Sequence, residues 1–458
     1  MSATDFLAEL AAALPAMKLL REPADTEAYR FDETEYLRPG QPLAVCFPRS
    51  TAEVVQIVSL AARDGVALVP RGAGTGLSGG AVAVDGALSV VFTQMNRIVE
   101  IDTANLTATV QPGVINADLG RAAAEHGLFY PPDPASFEMC TIGGNLAENS
   151  GGLRCVKYGV TRDWVLGLEV VLASGEVMRT GGKTVKDVAG YDLAGLFVGS
   201  EGTLGLITEA TLRLLPTPPA KLTLLAFFGT VLAAGEAVAG ITAAGIVPVT
   251  LELMDAFTIA AVEDWHKLGL DRTAAAMLMV ESDAGGAAAE DELRAAEAAC
   301  LAAGATSVLR AADEQEADWL RQARRAAHGA LERAGVARMD DVGVPRSRIP
   351  AMLAAIEEVS ARHGLPVGVF GHAGDGNLHP TFVVERSDPT AEARIDAARA
   401  DIYAAALALG GTVTGEHGTG LTKRAYLEAQ RGPVAVAAMR AIKHALDPAG
   451  ILNPGKVL

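Results

Sequence analysis

Residues 70–82, PRGAGTGLSGGAV, constrain this chain more than any other stretch, because they gather Gly72, Gly74, Gly76, Gly79 and Gly80 in one short loop. Glycine reaches left-handed backbone angles at little steric cost and lets a ligand come close to the main chain. Successive N–H groups in such a loop form a concave nest for an anion, typically a phosphate. The apolar run at 66–69 is expected to be a strand, ended by Pro70. The loop is then expected to cradle the pyrophosphate of a dinucleotide.

Other motifs overlap it. GTGLSG at 74–79 has Rossmann spacing, and GLSGG at 76–80 has the spacing of a nucleophile elbow. Both must run directly into a helix, whereas GAVAVDG at 80–86 has no helical period. GGKT at 181–184 resembles the end of a Walker loop, but Val177 stands where its first glycine belongs. A glycine-rich surface turn without a ligand is the remaining alternative.

The chain has 458 residues, half of them hydrophobic and 20% charged, which suits two or three domains with large cores. A net charge of -17 argues against nucleic acid as a partner. Cys46, Cys140, Cys155 and Cys300 are too sparse for a disulfide framework and have no metal-type pairing, so a reducing compartment is expected. The N-terminal residues lack a signal-peptide pattern, and the apolar window at 231–254 is interrupted by Glu236 and Pro248. The expectation is a cytoplasmic protein, at most peripheral to a membrane and not integral to one.

Along the chain, residues 2–20 read as a short helix. STAE at 50–53 is a capping box opening a helix to about Arg63. Short β runs follow at 87–92, 97–101 and 107–111, then an amphipathic helix at 114–126 stopped by Gly127. Residues 129–152, rich in Pro, Gly and Asn, read as a long functional loop. A hairpin over 167–180 turns at Ser174 and Gly175, residues 183–200 read as another loop, and 203–215 as a strand. PTPP at 216–219 marks a boundary. Beyond it, β runs at 222–228, 246–254, 274–281 and 306–310 alternate with Ala-rich helices at 231–244, 256–268, 287–302 and 314–334. A helix at 347–363, strands at 365–370 and 377–384, a helix at 389–409 and two final helices complete an α+β or α/β pattern.

Two polar turns carry chemistry. GHAGDGNLH at 371–379 places His372 and His379 on either side of a turn between two strands, so they can converge. TGEHGTG at 414–420 supplies Glu416. Imidazoles with a carboxylate form a ligand set for a divalent transition metal, leaving positions open for a bidentate substrate. His417 follows Glu416 directly, so its side chain is expected to point elsewhere. Satisfied loop histidines are the bland alternative. A nucleotide loop with a metal site fits a flavin-dependent oxidation or a metal-assisted hydrolysis.

The motifs at 70–82, 141–152 (TIGGNLAENSGG), 199–205 (GSEGTLG), 371–379 and 415–420 occur in this order, and with them the chain resembles the FAD-linked oxidase family of vanillyl-alcohol-oxidase type. The branch it resembles contains D-lactate dehydrogenases, glycolate oxidase large subunits and D-2-hydroxyglutarate dehydrogenases. The resemblance runs from about residue 41 to the end. It implies an α+β fold: an N-terminal helical segment at 1–40, an FAD-binding domain at 41–216, a cap or substrate domain at 220–414 and a segment at 415–458 returning to the FAD domain.

By the same resemblance, Pro70, Arg71, Gly72, Ala73, Gly74, Thr75, Gly76 and Gly79, with Thr141, Gly143, Gly144 and Asn145, hold the pyrophosphate. Pro132, Ser136, Asn149, Ser150, Gly151, Glu201, Gly202 and Ile207 line the rest of the FAD, and Asn453 closes over it. No histidine stands in these loops, so non-covalent FAD is expected. The family's metal ligands, for zinc or manganese, fall on His372, His379 and Glu416, and its active-site histidine on His417. Its substrate-clamping arginine falls on Arg324, with Arg321 and Arg325 competing and a solvated helix face as the alternative.

The implied reaction is oxidation of a metal-chelated 2-hydroxy acid to the 2-oxo acid. His417 takes the hydroxyl proton, the C2 hydride goes to the flavin, and an external acceptor removes the electrons. Relatives selective for 2-hydroxyglutarate carry a lysine where Met339 stands and an asparagine where Thr381 stands; His328 replaces a threonine. A D-lactate-like substrate is therefore preferred, with glycolate and D-2-hydroxyglutarate as alternatives. An alkyl-transfer flavoenzyme and a metallohydrolase are more distant ones. A homodimer is compatible with this reading.

Overall fold

A computed structural model describes residues 3–34 and 36–458. Ser2, the first residue of the expected N-terminal helix, lies outside them. That helix spans Ala3–Ala13 and gives way to a strand at Lys18–Leu20. The chain divides into two compact units. The first holds Met1–Gly151, Val160–Thr217 and Glu416–Leu458; the second holds Gly152–Gly159 and Pro218–Gly415.

The first unit contains a four-stranded sheet in the order Lys18–Leu20, Ala44–Phe47, Leu88–Val91, Leu68–Arg71. Its last three strands are parallel. An antiparallel five-stranded sheet runs Ile98–Asp102, Thr107–Val110, Leu206–Arg213, Val165–Val171, Val177–Gly181. The helix Thr51–Asp64 buries Val54, Ile57, Val58 and Ala61. Ser50 accepts from the Glu53 N–H at its start, and Gly65 closes it in the left-handed conformation. Pro70 does not end its strand, as expected from sequence, but lies within it opposite Val90. The strand is at the sheet edge, where a residue without an N–H is tolerated. The C-terminal residues return to this strand: Leu68 N–H donates to Ile451 C=O and Asn453 N–H to Leu68 C=O.

Two stretches read as loops contain helices, Ile142–Glu148 and Leu193–Phe197. Each is N-capped by a side chain, Thr141 accepting from Gly144 N–H and Asp192 from Gly195 N–H. Glycines in the first turn hid both, since glycine weakens the helical signal without forbidding the helix.

In the second unit, Ala305–Arg310, Leu222–Phe228, Ala276–Ser282, Thr250–Asp255, Val367–His372, Asn377–Val384 and Val336–Met339 follow one another across one sheet, with Val342–Gly343 also on Asn377–Val384. Every pairing is antiparallel, which selects α+β over α/β. Leu225, Phe227, Met254, Met277, Met279, Phe370 and Val383 pack with Ile259, Val262, Ala323, Ala327, Ala330 and Leu331. One face of the sheet is thus covered by the helices Ala256–His266, Glu314–Arg325 and Ala327–Ala334. The last two were expected as one helix; the chain breaks at Ala326. The second piece lies on the 256–266 helix, with Gly329 against the Trp265 ring.

Candidate active site

The glycine-rich loop leaves the C-terminal end of the strand Leu68–Arg71, beside its parallel neighbour. It forms one wall of a cleft that is open to solvent at its mouth. Pro70, Arg71, Gly72, Ala73, Gly74, Thr75 and Gly76 line it, with Ser136, Thr141, Gly143, Gly144, Asn145, Ser150, Glu201, Gly202 and Ile207. The cradle depends on missing side chains: a methyl on Gly72 would strike Thr141 Oγ1, and one on Gly143 would strike Pro112.

Other expected residues stand behind this wall. Gly79 packs against Leu37 and Leu421. Asn149 caps the 142–148 helix with positive φ and accepts from Arg162 N–H. The Asn453 amide donates to Gly80 C=O at 3.0 Å and Glu201 C=O at 2.7 Å, tying both cleft walls together. Pro132 and Gly151 are not among the lining residues.

Of two carboxyls in the lining, Glu201 was expected there and Glu148 was missed. Glu148 is half-buried, and its Oε2 is shielded from solvent with no hydrogen-bond partner among the described residues. Burial, then the nearby Glu201 and Asp32 charges, push its carboxyl well above the usual range. Burial also raises Glu201, to about 7, against the opposing pull of N–H donors from Thr419 (2.7 Å) and Gly420 (2.8 Å). Carboxyls raised in this way make the wall less repulsive to cofactor phosphates than its composition suggests.

The second unit arranges its own polar cluster by strand parity. Phe370 pairs directly with His379 and His372 with Asn377, so His372 and His379 share the face that Phe370 occupies. Their rings lie 5.2 Å apart, edge to face. The tight crossing requires Gly371, where a Cβ would collide with the Asn377 carbonyl and Leu378 Cα. Glu252 projects from the neighbouring strand, two residues from Met254 on that face. It is 1% exposed. Its Oε1 lies 2.8 Å from His372 Nδ1, and its Oε2 accepts from Arg324 Nε at 2.6 Å.

Arg324 is buried, not on a solvated helix face, and its guanidinium covers the Phe370 ring at 4.9 Å. One turn earlier, Arg321 is committed to Glu281 at 3.0 Å. Arg325 is exposed. The two inward arginines meet glutamates on adjacent strands. Thr381 is buried on the same face as His379 and pairs across strands with Met339. His328 begins the next helix, 3.3 Å from Glu332; burial, opposed by that carboxylate, pushes its imidazole below the usual range.

At the 414–421 segment each unit holds its own part. In the second unit Gly415 N–H donates to Asp341 Oδ2 at 2.8 Å, and Asp341 Oδ1 lies 3.9 Å from His379 Nδ1. In the first, His417 Nε2 is 4.0 Å from Glu416 Oε1, Gly418 abuts Glu148, and Leu421 N–H donates to Ser78 C=O. Sequence reading missed Glu148, Glu252 and Asp341. The signal for Glu252 was present, since it is the one charge inside the apolar run LELM at 251–254.

Two family models match the chain. The family described as FAD binding domain matches residues 42–181, and FAD linked oxidases, C-terminal domain, matches residues 217–457. The chain is 49% identical to glycolate oxidase subunit GlcD of Bacillus subtilis, over 94% of this chain and 91% of the relative. It is 40% identical to a D-2-hydroxyglutarate dehydrogenase of Xanthomonas citri pv. viticola, covering 97% and 95%. Its fold is that of the crystal structure of p-cresol methylhydroxylase with substrate bound, with a TM-score of 0.82 at 18% identity, over 99% of this chain and 96% of that one.

Proposed function

Because the chain belongs to the FAD-linked oxidase family and is an FAD-dependent oxidoreductase of hydroxy acids, we propose that its substrate is a small D-2-hydroxy acid, D-lactate or one of similar size, and its product the 2-oxo acid. The observation that carries this reading is the buried sheet face on which two imidazoles and a guanidinium meet, His372 and His379 beside Arg324. Two histidine nitrogens plus a carboxylate suit zinc or manganese. Glu416 is the proposed third ligand, because it follows Gly415, whose N–H is held by Asp341 beside His379. The metal would polarise the substrate hydroxyl and one carboxylate oxygen.

Arg324 grips the carboxylate through its outer nitrogens, with Nε already engaged by Glu252. His417 takes the hydroxyl proton as general base. Its turn is fixed one residue on, where Gly418 rests on Glu148 in the cleft wall. Bound FAD supplies the two-electron acceptor for the C2 hydride.

Substrate size follows from what the pocket face lacks. A second carboxylate needs a cation, yet Met339 and Thr381 are uncharged, and desolvation lowers the His328 imidazole below its usual range. Arg338 points to the other face and pairs with Glu392. A five-carbon dicarboxylate is therefore disfavoured relative to lactate or glycolate. The test is an anaerobic screen of the FAD-loaded protein against D- and L-2-hydroxy acids, read by loss of flavin visible absorbance. Bleaching by D-lactate or glycolate, faster than by D-2-hydroxyglutarate, is the expected result. Bleaching by none of these acids would refute the reading, and the reverse order would refute its substrate size.

A further inference from the structure

We propose that Glu252 is the positioning residue that joins the metal-binding and carboxylate-binding halves of the site, one of its oxygens setting the His372 ring and the other the Arg324 guanidinium. The inference rests on the function proposed above and goes further, making the two halves interdependent. Glu252 sits between Leu251 and Leu253, on a strand otherwise devoted to the core. Such a buried carboxylate is tolerated only with strong partners, and here each oxygen has one: His372 Nδ1 at 2.8 Å and Arg324 Nε at 2.6 Å.

The consequence for His372 is a tautomer. A carboxylate facing a guanidinium only accepts hydrogen bonds. The shared proton therefore lies on Nδ1, and Nε2 carries the lone pair that a cation needs. The consequence for Arg324 is an aim. With Nε on Glu252 and Phe370 beneath the plane, the two terminal NH2 groups make no hydrogen bond to the described residues. They form the fork that matches a carboxylate. Movement of Glu252 disturbs both groups together, so metal binding and substrate binding are coupled through it.

Glu252→Gln tests this in the full-length FAD-loaded protein. An amide has one acceptor and one donor end, so one orientation sets its NH2 against Arg324 Nε–H, and the other makes His372 Nδ1 the acceptor and moves the ring proton to Nε2, the nitrogen the metal needs. Expected are a loss of zinc affinity of about tenfold or more together with a raised KM for D-lactate, while FAD content and flavin spectrum stay unchanged. Glu252→Asp, which keeps two acceptors, is expected to recover part of both. Arg324→Ala should raise KM with zinc retained, and His372→Ala should lose zinc. If those two variants behave so while Glu252→Gln leaves zinc affinity and KM unchanged, this inference fails and the proposed function stands. If His372→Ala keeps zinc and Arg324→Ala keeps KM, the proposed function itself fails. A measurement independent of any variant is the 15N spectrum of the zinc-free protein: His372 should be the Nδ1–H tautomer, and an Nε2–H assignment would overturn the proposal.

Discussion

Glu148 shows how a single side chain can carry the electrostatics of a cleft. Its Oε2 is shielded from solvent with no hydrogen-bond partner among the described residues, and Glu201 and Asp32 stand near it. A carboxyl raised in the folded state binds its proton more tightly folded than unfolded. Its contribution to stability is therefore complete below the ordinary value of 4.5 and is lost as pH rises from there toward the folded value. Glutamine at 148 does not titrate. The thermal midpoint of Glu148→Gln relative to wild type is expected to rise as pH increases above the ordinary carboxyl value of 4.5. A difference independent of pH would contradict the assignment. Sequence could not reveal this residue, because AENSGG at 147–152 looks like any polar turn until the Ile142–Glu148 helix aims Glu148 inward. His372 and His379 were legible, since a two-strand turn fixes their parity; Arg324 needed the family resemblance to be chosen over Arg321.

At the level of elements, strong local signals survived and weak ones did not. The capping box at 50–53 and the Leu222–Phe228 strand stand where the sequence puts them. The Ile142–Glu148 helix was hidden by Gly143 and Gly144, although Thr141 caps it and also contacts the Gly72 site. Thr141→Val, similar in shape but without the hydroxyl, removes the cap. It is expected to cost about 1 kcal/mol of stability and to weaken FAD binding, read by thermal melting and flavin titration. Unchanged values in both would show that the cap does not shape the cleft. The break at Ala326 had no sequence signal. It is imposed by packing, as the 327–334 helix settles on the 256–266 helix around Gly329 and Trp265.

For the whole molecule, five motifs in order carried the family and fold, because each marks a place where backbone geometry or chemistry leaves few residue choices. What they could not carry is burial. Net charge, periodicity and spacing do not say that Glu201, Glu252 and Asp341 are enclosed, and these enclosed carboxyls organise both units. Among the described residues no helix is long and apolar enough to cross a membrane. The central claim is that a C2–H bond of a small D-2-hydroxy acid breaks as the bound flavin is reduced. Single-turnover reduction of the FAD- and metal-loaded protein by D-lactate, with hydrogen or deuterium at C2, tests it most directly. The account predicts first-order bleaching that deuterium slows severalfold, with pyruvate as product; bleaching at equal rates, or no bleaching at all, would contradict it.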